Sequence, residues 1–215
     1  MKYKYILFDL DGTLCESASG IRYSLETACR ELGYPDIDLS DYTRYIGPPL
    51  VDTFENVCKF PQELWDKAYD IYTETYKNEG ILMNKPYEGI ENVLKSLKEK
   101  GFKLAVCSSK LESNTIRVVD VIGLTRYFDA LCGSNRECTR KDKKDLIPYA
   151  VEKLGGDLES AVMIGDTFFD AAGAELCAVD YIACAYGYGD MDKMIAYNHV
   201  FVADKPGDIL SFLTL

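Results

Sequence analysis

The apolar run Tyr5-Ile6-Leu7-Phe8 gives way abruptly to Asp9-Leu10-Asp11-Gly12-Thr13-Leu14, the pattern of a buried strand closed by a polar turn. Roughly residues 17 to 80 then carry only helical periodicity. Ile21, Leu25, Ala28 and Leu32 recur at helical spacing, and Gly33 stands where a C-terminal cap belongs. Asp38-Leu39-Ser40-Asp41 offers N-cap residues for a short second helix that stops at Gly47-Pro48-Pro49. Pro61 suits the first position of a longer helix through Leu64, Ala68, Ile71, Tyr72 and Thr75, ending near Gly80.

From Pro86 the pattern alternates. Helices are expected over 89–100, 112–122, 143–154 and 170–177, and strands over 103–107, 127–132, 161–164, 181–185 and 200–202. Strands alternating with helices imply a parallel sheet covered on both faces, and the first strand belongs to it. The expected organisation is therefore α/β. A Rossmann-like parallel-sheet core takes residues 1–15 and 86–215, and an inserted all-helical domain takes 16–85.

In such a sheet, function collects at the carboxyl ends of the strands. Three of those ends are polar: Asp9-Leu10-Asp11, Ser108-Ser109-Lys110, and Gly165-Asp166-Thr167-Phe168-Phe169-Asp170. Asp9 and Asp11, two positions apart, lean the same way until the Asp-Gly turn bends the chain. Like charges that close demand a cation between them or different protonation states, and either condition supports nucleophilic and acid–base chemistry. A simple hairpin is disfavoured, because Thr13 to Gly20 is not a second alternating strand. A calcium loop of the EF-hand kind fails too, with Gly12 at the fourth position and not the sixth.

Composition narrows the partners. The 215 residues hold 24 Lys and Arg against 35 Asp and Glu, a formal net charge of -11, which argues against a surface that tracks a nucleic-acid polymer. An anionic substrate would then need a local cation. Eight cysteines without C-x-x-C spacing, behind an opening Met1-Lys2-Tyr3-Lys4 that is no secretory leader, suggest reduced thiols in a cytoplasmic protein. No apolar stretch reaches the ~18 residues of a membrane span. The sole histidine, His199, sits far from the polar strand ends, and Tyr69, Tyr72 and Tyr76 follow helical spacing.

Together these motifs resemble, in order and over nearly the whole chain, the phosphatases of the haloacid dehalogenase superfamily. Asp9-Leu10-Asp11-Gly12-Thr13 matches the first motif, Ser108 the second, Lys143 the third and Gly165 to Asp170 the fourth. Ile46-Gly47-Pro48-Pro49-Leu50, Lys143-Lys144-Asp145-Leu146-Ile147 and Tyr186-Gly187-Tyr188-Gly189 narrow the likeness to the phosphoglycolate phosphatase and 5′-nucleotidase-like branch. In that branch a helical cap follows the first motif. The resemblance implies Asp9 as a nucleophile forming an aspartyl-phosphate and Asp11 as the acid and base. It implies Mg2+ held by Asp9, the Asp11 carbonyl and Asp166, supported by Asp170. Ser108, with Ser109 beside it, and Lys143 would serve the phosphoryl group, although Lys141 and Lys144 compete for the third motif. Gly12, Thr13, Arg44 and Gly47 are candidate substrate-binding residues. The substrate would be a small phosphorylated metabolite, 2-phosphoglycolate or a nucleoside 5′-monophosphate, and the protein a monomer or homodimer without membrane partners. A phosphosugar mutase of the same superfamily and a non-catalytic binding module are the alternatives. A metal-free dehalogenase is disfavoured because Asp11 is present.

Overall fold

The computed structural model describes residues 2–48, 50–135 and 139–215. Pro49 of the Ile46–Leu50 motif and Cys138 lie outside the described residues. A six-stranded parallel sheet runs in the order β5 (Ala130–Ser134), β4 (Lys103–Leu111), β1 (Tyr5–Phe8), β6 (Ala161–Gly165), β7 (Asp180–Cys184), β8 (Phe201–Ala203). Alternation along β1 divides the core. Ile6 and Phe8 join one buried cluster with Ile90, Val93, Val118 and Ile209, and Leu7 joins another with Leu146, Ile147, Ala171 and Ala174. The first cluster is covered by α4 (Ile90–Glu99), α5 (Glu112–Val121) and α9 (Pro206–Leu213), the second by α6 (Lys143–Lys153) and α7 (Phe168–Leu176). Each fully buried aliphatic side chain contributes about 1.5–3 kcal/mol.

Between the first strand and α4 the regular elements among the described residues are helical apart from one short ribbon. β2 (Cys15–Glu16) pairs antiparallel with β3 (Lys85–Pro86), so the two chain passages lie side by side where the helical segment leaves and rejoins the sheet. Two-residue strands carry no alternation for a sequence pattern to show. The segment contains α1 (Ala18–Glu31), α2 (Leu50–Asn56) and α3 (Trp65–Asn78). Gly33, at φ +87°, closes α1 as its spacing suggests.

The short helix expected before Gly47 is instead one 3-10 turn, Tyr42–Arg44, with the Asp41 carboxylate accepting from Thr43 N at 3.0 Å. The helix itself starts beyond the Gly47-Pro48 turn, at Leu50. β4 runs four residues past its expected end, through a register irregularity between Cys107 and Leu111. Tyr127, expected in a strand, closes a 3-10 turn, and β5 begins at Ala130 after Asp129 has bonded the Leu104 backbone. Helices α8 (Met191–Ile195) and α9 were not among the expected elements. Pro206 at the first turn of α9, with Asp208 accepting from Asp204 N and Lys205 N, gives that helix its start.

Candidate active site

Phe8 pairs with Val106 on one side and Ile164 on the other, so the chain leaves β1 and β6 at one level, beside the middle of β4. The order reverses here: β4 and β5 extend to one side of β1, and β6 returns to the other. Asp9 and Asp166 directly follow β1 and β6, Ser108 lies within β4 two residues past Val106, and the three meet at that switch point. All three are buried.

Lys143, the first residue of α6, organises the centre. Its Nζ donates to the Cys107 carbonyl at 2.7 Å and pairs with Asp9 Oδ1 at 2.8 Å and Asp170 Oδ1 at 2.5 Å. It fits because α7 has no side chain opposite it: a Cβ on Gly173 would come 2.3 Å from Lys143 Cβ. Burial works against the ammonium, yet Asp170 and Asp9 hold its pKa above the usual lysine value. Lys144 is exposed beside Asp142, and Lys141 lies exposed at the cavity rim. Of the three competing lysines, Lys143 is the one that reaches Asp9.

Burial pushes Asp9 up to about 6, with Lys143 opposing and Asp170 and Asp11 adding to the rise. Asp166 stands well above the ordinary carboxylate range, from burial and then from Asp9 and Asp170. Its oxygens are nevertheless fixed: Thr13 Oγ1 donates to Oδ1 at 2.8 Å and Tyr188 N to Oδ2 at 2.8 Å. Two glycines make room for it. Gly12, at φ +87°, would bring a Cβ within 2.1 Å of Asp166 Oδ2, and Gly187 within 2.2 Å of Asp166 Cβ.

Oxygens of Asp9, Asp166 and Asp170 lie within 4.8 Å of one another, three buried carboxylates facing one lysine. The surplus negative charge and the all-oxygen donor set fit a hard divalent cation. Asp170 is the least free of the three, since its other oxygen accepts from Thr167 N and Thr167 Oγ1 at 3.0 and 2.8 Å in the cap of α7.

Asp11 is held apart. Lys110 Nζ pairs with its Oδ2 at 2.6 Å and lies 4.8 Å from the ring centroid of Tyr76, on α3. The Ser108-Ser109-Lys110 strand end showed that a lysine would enter the crevice, but not that it would be the partner of Asp11. Tyr188, in the Tyr186-Gly187-Tyr188-Gly189 motif of the sequence, holds Asp166 through its backbone N. Besides its bond to Asp166, its hydroxyl accepts from Ser17 N at 2.8 Å and Ala18 N at 3.1 Å, where α1 begins. Tyr186 donates to the Thr13 carbonyl at 3.0 Å, so this loop ties the first motif to the fourth.

A cavity of about 480 Å3 opens from Asp9, Asp11, Ser108 and Lys143 toward the helical segment. Ser109 and Gly47 line it, and Gly47 sits against Thr167 and Phe169, where a Cβ would be 3.3 Å from Thr167 Cγ2. Arg44, a candidate substrate-binding residue, stands apart from the cavity. It is exposed on the 3-10 turn and does not line the cavity, because the turn directs the next residue inward: Tyr45 is buried and donates to the Leu39 carbonyl at 2.9 Å. Gly12 and Thr13 also lie outside the lining and act on Asp166 instead.

Residues 6–184 match the family of haloacid dehalogenase-like hydrolases. The chain belongs to that family. Over 210 residues it is 31% identical to the phosphoglycolate phosphatase of Aquifex aeolicus (strain VF5), covering 98% of this chain and 96% of that one. It is 33% identical over 198 residues to a 5′-nucleotidase of Pseudomonas aeruginosa, covering 92% and 90%. The crystal structure of a predicted phosphatase from Clostridium acetobutylicum superposes with a TM-score of 0.91 at 34% identity, over 100% of both chains. Among the described residues no helix is long and apolar enough to cross a membrane.

Proposed function

We propose that the chain is a magnesium-dependent phosphomonoesterase acting on a small phosphorylated metabolite through an aspartyl-phosphate on Asp9. The observation that carries this reading is the pairing of a buried carboxylate, oriented by Lys143 at 2.8 Å, with a second carboxylate held separately by Lys110, both facing one cavity. Asp9 attacks phosphorus, the ester P–O bond breaks, and Asp11 gives its proton to the departing alkoxide. Asp11 then takes a proton from the water that attacks the aspartyl-phosphate, which releases inorganic phosphate and restores Asp9. Lys143 and the Ser108 hydroxyl stabilise the charge spread over the phosphoryl oxygens. Asp9, the Asp11 carbonyl and Asp166 would hold Mg2+, with Asp170 in support. When bound, the ion offsets repulsion between the carboxylate and the phosphate.

Residues 16–85 act as the cap and 1–15 with 86–215 as the catalytic core, a division supported by the β2–β3 ribbon at the junction. The two relatives suggest 2-phosphoglycolate and nucleoside 5′-monophosphates as first substrates to assay. The test is phosphate release from such esters by protein stripped of metal. Activity that appears only on adding Mg2+ supports the reading, and undiminished turnover in chelator contradicts it.

A further inference from the structure

The alternation in Tyr186-Gly187-Tyr188-Gly189 has a counterpart in space. The glycines lie against residue 166: there is no room for a Cβ on Gly187 beside Asp166 Cβ, or on Gly189 beside the Asp166 carbonyl. The tyrosines reach the junction with the helical segment. Tyr186 packs edge-on against Tyr87, which follows β3, with ring centroids 5.0 Å apart, and the ring of Tyr188 lies 6.3 Å from that of Tyr42 on the 3-10 turn. The Tyr188 hydroxyl meets Ser17 and Ala18, just beyond β2. One loop thus touches the passage into the helical segment, the passage out of it and the segment itself.

The contact at the start of α1 is the most specific of these. Ser17, at the N-cap of α1, makes no side-chain capping bond, and its hydroxyl oxygen is buried with no partner among the described residues. The first N–H groups of a helix need acceptors from outside it. The Tyr188 hydroxyl supplies one, accepting from Ser17 N and Ala18 N at 2.8 and 3.1 Å, while the backbone N of the same residue donates to Asp166 Oδ2 at 2.8 Å. Were α1 to swing away, the N–H of buried Ser17 would lose its partner. The loop would lose the anchor that sets its own N–H on Asp166.

On the phosphomonoesterase reading, with residues 16–85 as the cap and Asp166 as a metal ligand, we infer that Tyr188 is a positioning residue that couples Asp166 to the start of the cap. Coupling of this kind is reciprocal. Fixing Asp166 with a cation steadies the loop and its bonds to α1, and losing those bonds frees Asp166 to turn.

Hydrogen exchange read residue by residue by NMR, on metal-free protein and after addition of Mg2+, tests this on the parent chain. The Ser17 and Ala18 amides should exchange at least about fivefold more slowly with Mg2+, the lower end of ordinary coupling between linked sites. The Tyr34 amide, bonded to the Cys29 carbonyl at 2.8 Å at the far end of α1, is the reference and should slow much less. Tyr188→Phe removes the hydroxyl and keeps the backbone N–H. It should weaken Mg2+ binding about fivefold or more in calorimetric titration. It should also abolish the extra protection of Ser17 and Ala18 by metal, which a plain loss of stability would not do. Protection at Ser17 and Ala18 no greater than at Tyr34, or unchanged Mg2+ affinity in folded Tyr188→Phe, overturns the inference. Mg2+-dependent phosphate release by the parent then leaves the phosphomonoesterase reading standing. A parent that binds no Mg2+ overturns both. If Tyr188→Phe does not fold, the exchange measurement on the parent decides alone.

Discussion

Lys110 Nζ lies 2.6 Å from Asp11 Oδ2, while Asp11 Oδ1 is buried with no hydrogen-bond partner among the described residues. One oxygen is clamped and the other is left to exchange a proton with whatever enters the cavity. The same ammonium rests near the face of Tyr76, so the acid's position is tied to the helical segment as well as to β4. Lys110→Met should therefore lower kcat roughly 10- to 100-fold on an alkyl phosphate, up to the low end of what acid–base catalysis supplies. The loss on p-nitrophenyl phosphate should be several-fold smaller, because that leaving group departs without a proton. Steady-state kinetics on both substrates decide it, and equal losses would mean that Lys110 does not act through Asp11.

Gly187 has no room for a side chain beside Asp166. Gly187→Ala should displace that carboxylate and weaken Mg2+ binding about 10- to 100-fold, the usual effect of disturbing the groups around a metal ligand. Calorimetric titration of metal-free protein measures this directly, with circular dichroism to show that the fold persists. Unchanged affinity would remove Asp166 from the metal site.

Metal binding should also depend on pH in a defined direction. Burial raises Asp9 to about 6 and holds Asp166 well above the usual range, so the metal-free site carries protons that the cation must displace. Apparent Mg2+ affinity should then climb as pH rises from about 5 to 7, with protons released to buffer. Titrations in buffers of different ionisation enthalpy read the release. Affinity that falls over this interval would contradict the protonation states assigned to the pair.

Arg44→Ala should leave kcat/KM within about twofold of the parent, the scale of ordinary surface substitutions. Its charge is the only full positive one between Ile37 and Val57, which makes it conspicuous in the sequence. The 3-10 turn nevertheless leaves it exposed and buries Tyr45 instead. A several-fold rise in KM for an anionic substrate would return Arg44 to the site.

That contrast marks what could be read without a structure. β1, β6 and β7 were legible because each is a short apolar run with polar punctuation. The convergence of Asp9, Ser108 and Asp166 follows from their places toward the carboxyl ends of neighbouring parallel strands. Lys143 was one of three nearby lysines, and only the start of α6 against Gly173 puts it on Asp9. The partners of Lys110 and Tyr188 were not legible, because Asp11 and Asp166 are distant in sequence and meet them only through strand order. The helix after Gly47 was misplaced because a three-residue turn and the beginning of a true helix offer the same capping residues.

Covalent trapping on Asp9 bears most directly on the mechanism. Protein incubated with Mg2+ and a substrate carrying labelled phosphate, quenched in acid and digested, should yield the label on the peptide containing Asp9. Asp9→Asn should carry none and turn over at least about a thousandfold more slowly, since removing a nucleophile removes the covalent route. Label on another residue, or full turnover by Asp9→Asn, would show that phosphoryl transfer does not pass through Asp9.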